Sequence, residues 1–177
     1  MGFYSDEIGI NIKGKYNSKC SLNDIVKYVI FENHKDDAGK KHTDSKVGFY
    51  GGYGVNYKDV GTIVKDMERV QKHYNKASKR RFYHITVTFQ RKIPAGVLDG
   101  VAKRLCKEYF REYQSIYGIH ESTGRPHIHI CLNSVSFSSG RKFQVPYNPY
   151  NEKVYEEFHI NLEKFIVETL HGIWIYW

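Results

Sequence analysis

Three histidines stand close together around one predicted turn. His120 is followed after six residues by His127, and His129 comes two positions later. The stretch from 127 to 133 alternates between polar and apolar residues, which is typical of a half-buried strand. Its apolar face is formed by Ile128, Ile130 and Leu132, and its other face carries His127, His129, Cys131 and Asn133. Two histidines therefore lie on the face opposite the apolar triplet.

Residues 121–126 include Ser, Thr, Gly and Pro, which are turn-forming types, so the two flanking strands are expected to form a hairpin. In that hairpin His120 lies opposite His127 and diagonal to His129, with Cβ atoms about 5 Å and 7–8 Å apart. Three imidazoles so placed can bind one metal ion through bonds of about 2.0–2.1 Å. Three neutral ligands also leave coordination positions and positive charge available for a phosphate group.

Two alternatives compete with this metal site. One is that the three histidines are unrelated and are satisfied by separate hydrogen bonds, which their position on one face of one hairpin disfavours. The other is a structural zinc site formed by Cys131 with His127 and His129. That site needs a fourth ligand, which the sequence does not supply nearby.

A tyrosine on the first predicted helix is a second candidate for chemistry. Ser21 and Asp24 resemble a helix-capping pair, and the helix that follows has an apolar stripe. The stripe consists of Leu22, Ile25, Val26, Val29 and Ile30. At about 100° per residue Tyr28 falls on the polar flank. A phenol has a pKa of about 10, so it needs a nearby cation or base to act as a nucleophile. Taken alone, Tyr28 is a surface residue of an amphipathic helix.

Charge and composition indicate a polyanionic partner. The 177 residues favour one domain, and 27 basic against 19 acidic side chains give a net charge of +8 with a pI of about 9.2. Tyrosine is abundant, with 15 residues, and can stack on bases. We favour a phosphate-contacting surface over a merely solvated helix face. The candidate phosphate-contacting residues are Arg69, Lys72, Lys76, Lys79, Arg80, Arg81, Arg125, Arg141 and Lys142.

Secreted and membrane classes of protein are excluded by the sequence. The three cysteines form no CxxC pair and their number is odd, so a disulfide framework is not expected and a reducing cytoplasm is. The first residues lack the apolar segment of a signal peptide. No apolar run approaches the roughly 18 residues of a membrane span, so membrane insertion is not expected.

The predicted element order is β-α-α-β-α-β-β-β-α, which indicates an α+β fold with a central antiparallel sheet and helices packed on it. Residues 33–58 are polar and glycine-rich and are expected to form a long loop. The predicted strands are 8–12, 82–89, 115–120, 127–133 and 141–145. The last helix is expected to open at Asn148 and Pro149 and to end at Gly172.

These motifs together resemble the HUH endonucleases, and most closely the MobP-type (VirD2-like) relaxases, or mobilization nucleases. The histidine motif is H-(six residues)-HxH-(three residues)-N, followed by VSFSSGRKF. SLNDIVKYVI resembles the tyrosine helix of that family, GYGVN and the basic helix after it resemble its next segment, and YHITVTF resembles its H-x-x-x-S/T-F strand. The resemblance covers nearly the whole chain.

The resemblance implies one relaxase domain over residues 1–177, without a C-terminal extension, in the HUH fold. It implies that Tyr28 is the nucleophile and that His120, His127 and His129 bind the metal, Mg²⁺ or Mn²⁺ in use, although imidazoles by themselves favour Zn²⁺. The implied reaction nicks single-stranded DNA at the transfer origin of a plasmid or mobile element and leaves a 5′-phosphotyrosine and a 3′-hydroxyl. Hairpin DNA, accessory relaxosome proteins and a coupling ATPase are the implied partners in conjugation.

Three further side chains could orient the histidines. Relatives often carry an acid two residues after the first histidine, but that position is Ser122 here and the adjacent residue is Glu121. His84 shares a strand face with Thr86 and Thr88, where an orienting or proton-transfer role and a plain hydrogen bond are equally compatible with the sequence. Asn133 ends the histidine motif.

Two other functions remain open. A rolling-circle replication initiator carries its tyrosine after the histidines, commonly as YxxK, and Tyr150 with Lys153 fits that pattern. A non-catalytic module would bind single strands in a salt-sensitive way without metal-dependent cleavage.

Overall fold

The computed structural model describes residues 7–15, 22–35, 41–121, 124–145 and 153–174. The strands are β1 (Ile8–Lys15), β2 (Phe31–Lys35), β3 (Lys41–Lys46), β4 (Phe49–Tyr53), β5 (Phe82–Phe89), β6 (Tyr113–His120) and β7 (His127–Ser136). The α-helices are α1 (Leu22–Ile30), α2 (Val60–His73), α3 (Ala95–Arg104) and α4 (Lys153–Trp174). A π-helical turn over Leu105–Tyr109 extends α3.

Five strands form one sheet in the order β1-β5-β7-β6-β4, and every neighbouring pair is antiparallel. The strands β2 and β3 form a separate two-stranded antiparallel sheet. The predicted α+β class with a central antiparallel sheet is confirmed. The histidine strand β7 lies in the middle of the larger sheet, so backbone pairing on both sides fixes its position.

The two faces of the larger sheet pack against different helices. On one face α3 and α4 cover a large apolar core that includes Ile128, Ile130 and Leu132, all three fully buried. On the other face α1 and α2 cover a smaller core, which contains the predicted apolar stripe of α1. Strand alternation therefore separates the apolar triplet of β7 from its histidines, as the sequence predicts.

The prediction of a long loop is wrong for most of residues 33–58. It contains the end of β2 and all of β3 and β4. The sequence of β3, KHTDSK, has no apolar alternation, and β4 is FYGGY. Both strands form because partners elsewhere in the chain supply hydrogen bonds, β2 for β3 and β6 for β4.

The ends of several elements also differ from the predictions. Instead of a strand at 141–145, the structure has a single bridge between Val135 and Lys142. Strand β6 begins two residues earlier than predicted, and β7 continues to Ser136. Helix α4 runs past Gly172 to Trp174, while its predicted opening at Asn148 and Pro149 lies outside the described residues, as does Ser21. Among the described helices, none carries an apolar stretch long enough to cross a membrane.

Candidate active site

Strands β6 and β7 bring the three histidines together. In the antiparallel ladder His120 pairs with His127, and Gly118 pairs with His129. The ring centroid of His120 lies 4.4 Å from that of His129 and 5.7 Å from that of His127. One ring nitrogen from each histidine lies within 4.8 Å of the other two, an arrangement that could hold a metal ion. The predicted cross-strand geometry is confirmed.

Main-chain carbonyls determine which nitrogen carries the proton in two of these rings. Nδ1 of His127 lies 3.1 Å from the carbonyl oxygen of Arg125, and Nε2 of His120 lies 3.1 Å from that of Val29. A carbonyl only accepts hydrogen bonds, so each of these nitrogens donates. The lone pair then resides on Nε2 of His127 and on Nδ1 of His120. Such bonds fix both the tautomer and the orientation of a ligating imidazole.

His129 presents a buried polar atom toward this cluster. Its side chain is only 4% exposed, and its Nε2 atom has no hydrogen-bond partner among the described residues. Burial, with the neighbouring histidines His120, His127 and His84, lowers the pKa of His129 to about 2. The ring is therefore neutral at neutral pH, as a metal ligand must be. An orphaned imidazole nitrogen beside two other imidazoles fits a divalent ion.

The opposite edge of the His129 ring is held by strand β5. Nε2 of His84 lies 2.9 Å from Nδ1 of His129, and Oγ1 of Thr86 lies 3.3 Å from the same atom. The His84 and His129 rings are nearly parallel and meet edge to edge, with a centroid distance of 5.1 Å and an angle of 19° between their planes. When Nδ1 of His129 donates to His84, Nε2 of His129 keeps its lone pair on the side of the cluster.

Tyr28 lies over this group of rings. Its ring centroid is 5.1 Å from that of His129 and 5.5 Å from those of His84 and His120. The side chain is 40% exposed, whereas the apolar stripe of the same helix is buried. Its place on the polar flank of α1 is confirmed, and that flank faces the histidines.

A glycine lets α1 approach the sheet so closely. A Cβ atom at Gly118 would overlap the main-chain oxygen of Val29, which comes one residue after the tyrosine. That oxygen belongs to the last turn of α1, where carbonyls have no partner within the helix. His120 donates to it, and the amide of Val47 donates to the carbonyl of Ile30 at 3.1 Å. The helix end carrying Tyr28 is therefore fastened directly to a histidine of the cluster.

Asn133 lies away from the histidines and serves the packing of α2. It is fully buried, and its Nδ2 atom donates to the carbonyl of Met67 at 3.1 Å and to Oε1 of Gln114 at 2.9 Å. Its Oδ1 atom accepts from Nε2 of Gln71 at 2.9 Å. Asn133 follows His129 by four positions along the strand, a distance of about 13 Å. These contacts join α2 to the sheet, and the orienting role suggested for Asn133 gains no contact here.

The remaining residues near the motif occupy different environments. Cys131 is fully buried in the core beneath α1 and α2, so it belongs to the packing there. The side chain of Glu121 is exposed just after β6, and its carbonyl accepts from the amide of Gly124 at 3.0 Å. Ser122 and Tyr150 lie outside the described residues.

The basic surface around α2 is less uniform in charge than its sequence indicates. Arg69 pairs with Asp66 at 2.9 Å, and Arg81 pairs with Glu68 at 2.9 Å. Nε of Arg81 also donates to Oε1 of Gln71, and its side chain is only 18% exposed. Arg81 is thus built into the packing between α2 and β5.

Three lysines and an arginine of this surface lie close together. Nζ of Lys142 donates to the carbonyl of Ser78 at 2.7 Å, and Nζ of Lys76 donates to that of Gly140 at 2.7 Å. Burial lowers the pKa of Lys142, and the nearby Lys76, Lys79 and Arg80 lower it further. Lys72, Lys79 and Arg141 are exposed. The exposed cations form a surface that a phosphate backbone could contact.

Sequence reasoning missed two features of the site. One is Thr86, whose hydroxyl supports His129, and the other is the approach of Val29 to Gly118. A glycine inside a predicted strand often marks close approach of another backbone, so Gly118 carried a readable signal. Nothing in the sequence pairs the main chain of α1 with the end of β6.

Comparison with known proteins assigns the family. The sequence model of the family described as "Relaxase: MobA/VirD2-like, nuclease domain" matches residues 29–161, about three quarters of the chain. The chain therefore belongs to the MobA/VirD2-like relaxases, a family of metal-dependent, DNA-nicking enzymes. Tyr28 stands one residue before the matched segment.

A solved structure shares the fold. It is described as "Molecular Basis of Vancomycin Resistance Transfer in Staphylococcus aureus", and it is similar to this chain with a TM-score of 0.58. The similarity covers 94% of this chain and 93% of that one at 11% sequence identity. No curated protein matches the sequence.

Proposed function

We propose that this relaxase nicks single-stranded DNA at the transfer origin of a plasmid or mobile element, with Tyr28 as the nucleophile. The observation that carries the proposal is the position of the Tyr28 ring over His84, His120 and His129, at centroid distances of 5.1–5.5 Å. The ring is exposed on its outer side, so a DNA strand can reach it. A tyrosine placed only for packing would be covered by the core.

The proposed reaction exchanges one phosphoester for another. The Tyr28 oxygen attacks the scissile phosphorus, the tyrosine–phosphorus bond forms, and the bond from phosphorus to the 3′ oxygen breaks. The phenol proton is lost, and the departing 3′ oxygen gains a proton to leave as a hydroxyl. A 5′-phosphotyrosine results, and attack by a 3′-hydroxyl reverses the exchange and rejoins a strand. Because the number of phosphoester bonds is conserved, neither step needs ATP.

His120, His127 and His129 are the residues that would hold the divalent ion. When bound, such an ion supplies a positive charge that stabilises the developing charge on the non-bridging oxygens of the phosphate. The carbonyls of Arg125 and Val29 and the ring of His84 orient the three imidazoles. Mg²⁺ or Mn²⁺ is our proposed ion in use, and Zn²⁺ is the competitor that imidazoles favour by affinity.

The charge of the chain suits the proposed substrate. A net charge of +8 attracts a phosphate backbone, and the cations Lys72, Lys79, Arg125 and Arg141 are exposed to solvent. We propose that hairpin DNA at the origin, accessory relaxosome proteins and a coupling ATPase are partners in transfer, and that the enzyme works in the cytoplasm.

The test is the covalent adduct between protein and DNA. The full chain, Tyr28→Phe and Tyr150→Phe are each incubated with a pool of single-stranded oligonucleotides and Mn²⁺, and adducts are identified by mass spectrometry. We expect the wild type and Tyr150→Phe to form the adduct. Tyr28→Phe should form none, because phenylalanine has no oxygen to bond to phosphorus. EDTA should abolish the adduct of the wild type.

Each other outcome selects a different function. An adduct that disappears only in Tyr150→Phe would identify a replication initiator and refute the role of Tyr28. Salt-sensitive binding of single strands by all three proteins, without cleavage or adduct, would identify a non-catalytic binding module.

A further inference from the structure

The two-stranded sheet of β2 and β3 is built from residues that are almost all polar. The strands read FENHK and KHTDSK, so Phe31 is their only apolar residue. Among the described strands, β2 and β3 pair only with each other. A two-stranded hairpin is at best marginally stable in water without a third strand or an apolar face. A further interaction between the two strands would therefore strengthen their pairing.

The register of this hairpin places two histidines directly opposite each other. His34 pairs with His42, and Glu32 pairs with Ser45. Between these pairs lies a β-bulge, in which two residues of β3 stand against one residue of β2. Cross-strand partners share a face of the sheet, and so do residues two positions apart in one strand. Glu32, His34 and His42 therefore lie on one face of the hairpin.

The spacing of these three residues suits a single divalent ion. Directly opposed partners have Cβ atoms about 4.5–5.5 Å apart, and Glu32 lies about 7 Å from His34 along the strand. His120 and His127 are paired in the same way in the ladder of β6 and β7, and there each offers a ring nitrogen within 4.8 Å of the other. A directly opposed pair of histidines in this chain therefore reaches the spacing that metal binding requires.

We propose that Glu32, His34 and His42 form a second metal site, which binds Zn²⁺ and joins β2 to β3. Imidazole nitrogens and a carboxylate oxygen are ordinary zinc ligands, at about 2.0–2.2 Å from the ion. Three protein ligands leave the fourth tetrahedral position to water. Mg²⁺ is disfavoured at such a site because it prefers oxygen ligands. The site does not depend on the proposed nicking function.

The proposed site lies in the segment that follows the tyrosine helix. β2 begins directly after Ile30, the last residue of α1, and Tyr28 stands two positions before that residue. The amide of Val47 donates to the carbonyl of Ile30 at 3.1 Å, which closes the base of the hairpin. A metal ion between His34 and His42 closes the hairpin farther from α1. The segment after the helix is then held at two points.

The first test is amide hydrogen exchange of the full chain with and without Zn²⁺, measured by mass spectrometry on peptides from residues 31–46. At a free Zn²⁺ concentration of about 100 times Kd, exchange in the wild-type hairpin should slow by about 10–100-fold, because the ion binds the paired strands. His34→Ala and His42→Ala should lose this protection, and Glu32→Gln should need more Zn²⁺ to reach it. His73→Ala removes an exposed imidazole from α2 and should respond as the wild type does.

The variant His127→Ala separates this site from the histidine cluster of β6 and β7. It removes one residue of that cluster and should keep the zinc protection of the hairpin. Loss of the protection in His127→Ala would show that the effect comes from the cluster, and the inference would be wrong. Full protection in His34→Ala or His42→Ala, or equal exchange of the wild-type hairpin with and without Zn²⁺, would also overturn it.

A second measurement uses the wild type alone, so it does not depend on whether a variant forms the hairpin. The imidazole NMR signals of His34 and His42 are followed as Zn²⁺ is added to the full chain. Both signals should shift over the same range of Zn²⁺ concentration, while the signal of His73 stays in place. A shift of only one of the two signals, or of neither, would refute the shared site.

Discussion

At the scale of single residues, the site is a group of aromatic rings in mutual contact. His129 lies between His84 on one side and the cluster with His120 and His127 on the other. In many metal sites a carboxylate orients the ligating histidine. Here the imidazole of His84 takes the place of that carboxylate, so the orienting group carries no negative charge.

Replacing His84 should weaken metal binding. We expect His84→Ala to lower the affinity for Mn²⁺ by about 10–100-fold, because Nδ1 of His129 loses its partner at 2.9 Å and the ring is held less firmly in its orientation. His84→Gln keeps a hydrogen-bonding group and should recover most of the affinity. Calorimetric titration of the protein with Mn²⁺ measures this effect without DNA.

The control is His73→Ala, which removes an exposed imidazole from α2. It should bind Mn²⁺ as the wild type does. If His84→Ala matched the wild type too, the orienting role of His84 would be wrong, and its contact with His129 would be only a packing contact.

At the scale of elements, the site depends on how closely α1 lies against β6. The predicted apolar stripe of α1 is buried, which places Tyr28 on the outer flank of the helix. The height of the helix above the sheet is set by Gly118, which leaves room for the carbonyl of Val29. The apolar stripe of α1 therefore determines which face carries Tyr28, and Gly118 determines how closely the helix lies against the sheet.

Adding one methyl group at Gly118 should move the helix. We expect Gly118→Ala to lower the free energy of unfolding by about 1–3 kcal/mol, since the new Cβ overlaps the Val29 oxygen. The yield of DNA adduct should fall further than the stability loss explains, because Tyr28 shifts with the helix. Urea denaturation and the adduct assay measure the two effects separately.

Gly172→Ala is the matched control in α4, where the nearest atom to a new Cβ is Nη1 of Arg104 at 3.9 Å. Alanine favours a helix over glycine by about 1 kcal/mol, so this variant should be as stable as the wild type or slightly more so. A Gly118→Ala protein with wild-type stability and adduct yield would show that the approach of α1 is not critical.

The sequence predicted well the elements whose pattern is local. The alternation of β7 and the turn before it were sufficient to place three histidines on one face. By contrast, β3 and β4 could not be predicted, because their residues are polar or glycine and their strands exist through pairing with β2 and β6. The contact between His84 and His129 joins residues 45 positions apart. The sequence therefore predicted that His84 shares a strand face with Thr86 and Thr88, but not that it bonds to His129.

At the scale of the whole molecule, some basic side chains are exposed to solvent and others take part in packing. The positive residues around α2 look equivalent in the sequence, but the structure divides them. Lys72 is exposed to solvent, whereas Arg81 is enclosed by Glu68 and Gln71. A basic residue therefore contributes to DNA affinity only where its charge is not already used within the fold.

Two substitutions should separate these roles. Lys72→Ala should leave stability unchanged and reduce the slope of log affinity against log salt by about 0.7 for a single strand, if Lys72 neutralises one phosphate. Arg81→Ala should lower the free energy of unfolding by about 1–3 kcal/mol, because Glu68 and Gln71 lose their partner. Fluorescence anisotropy at several salt concentrations and urea denaturation measure these changes. A destabilised Lys72→Ala or a fully stable Arg81→Ala would contradict the division.

His120 makes two kinds of contact, because its ring belongs to the histidine cluster and its Nε2 atom donates to the carbonyl of Val29 in the last turn of α1. A mutant lacking this ring would lose both a proposed metal ligand and the bond that holds the end of α1, so its defect could not be ascribed to either cause. His127 bonds instead to its own neighbouring loop. Mutagenesis aimed at the ion alone should therefore begin with His127.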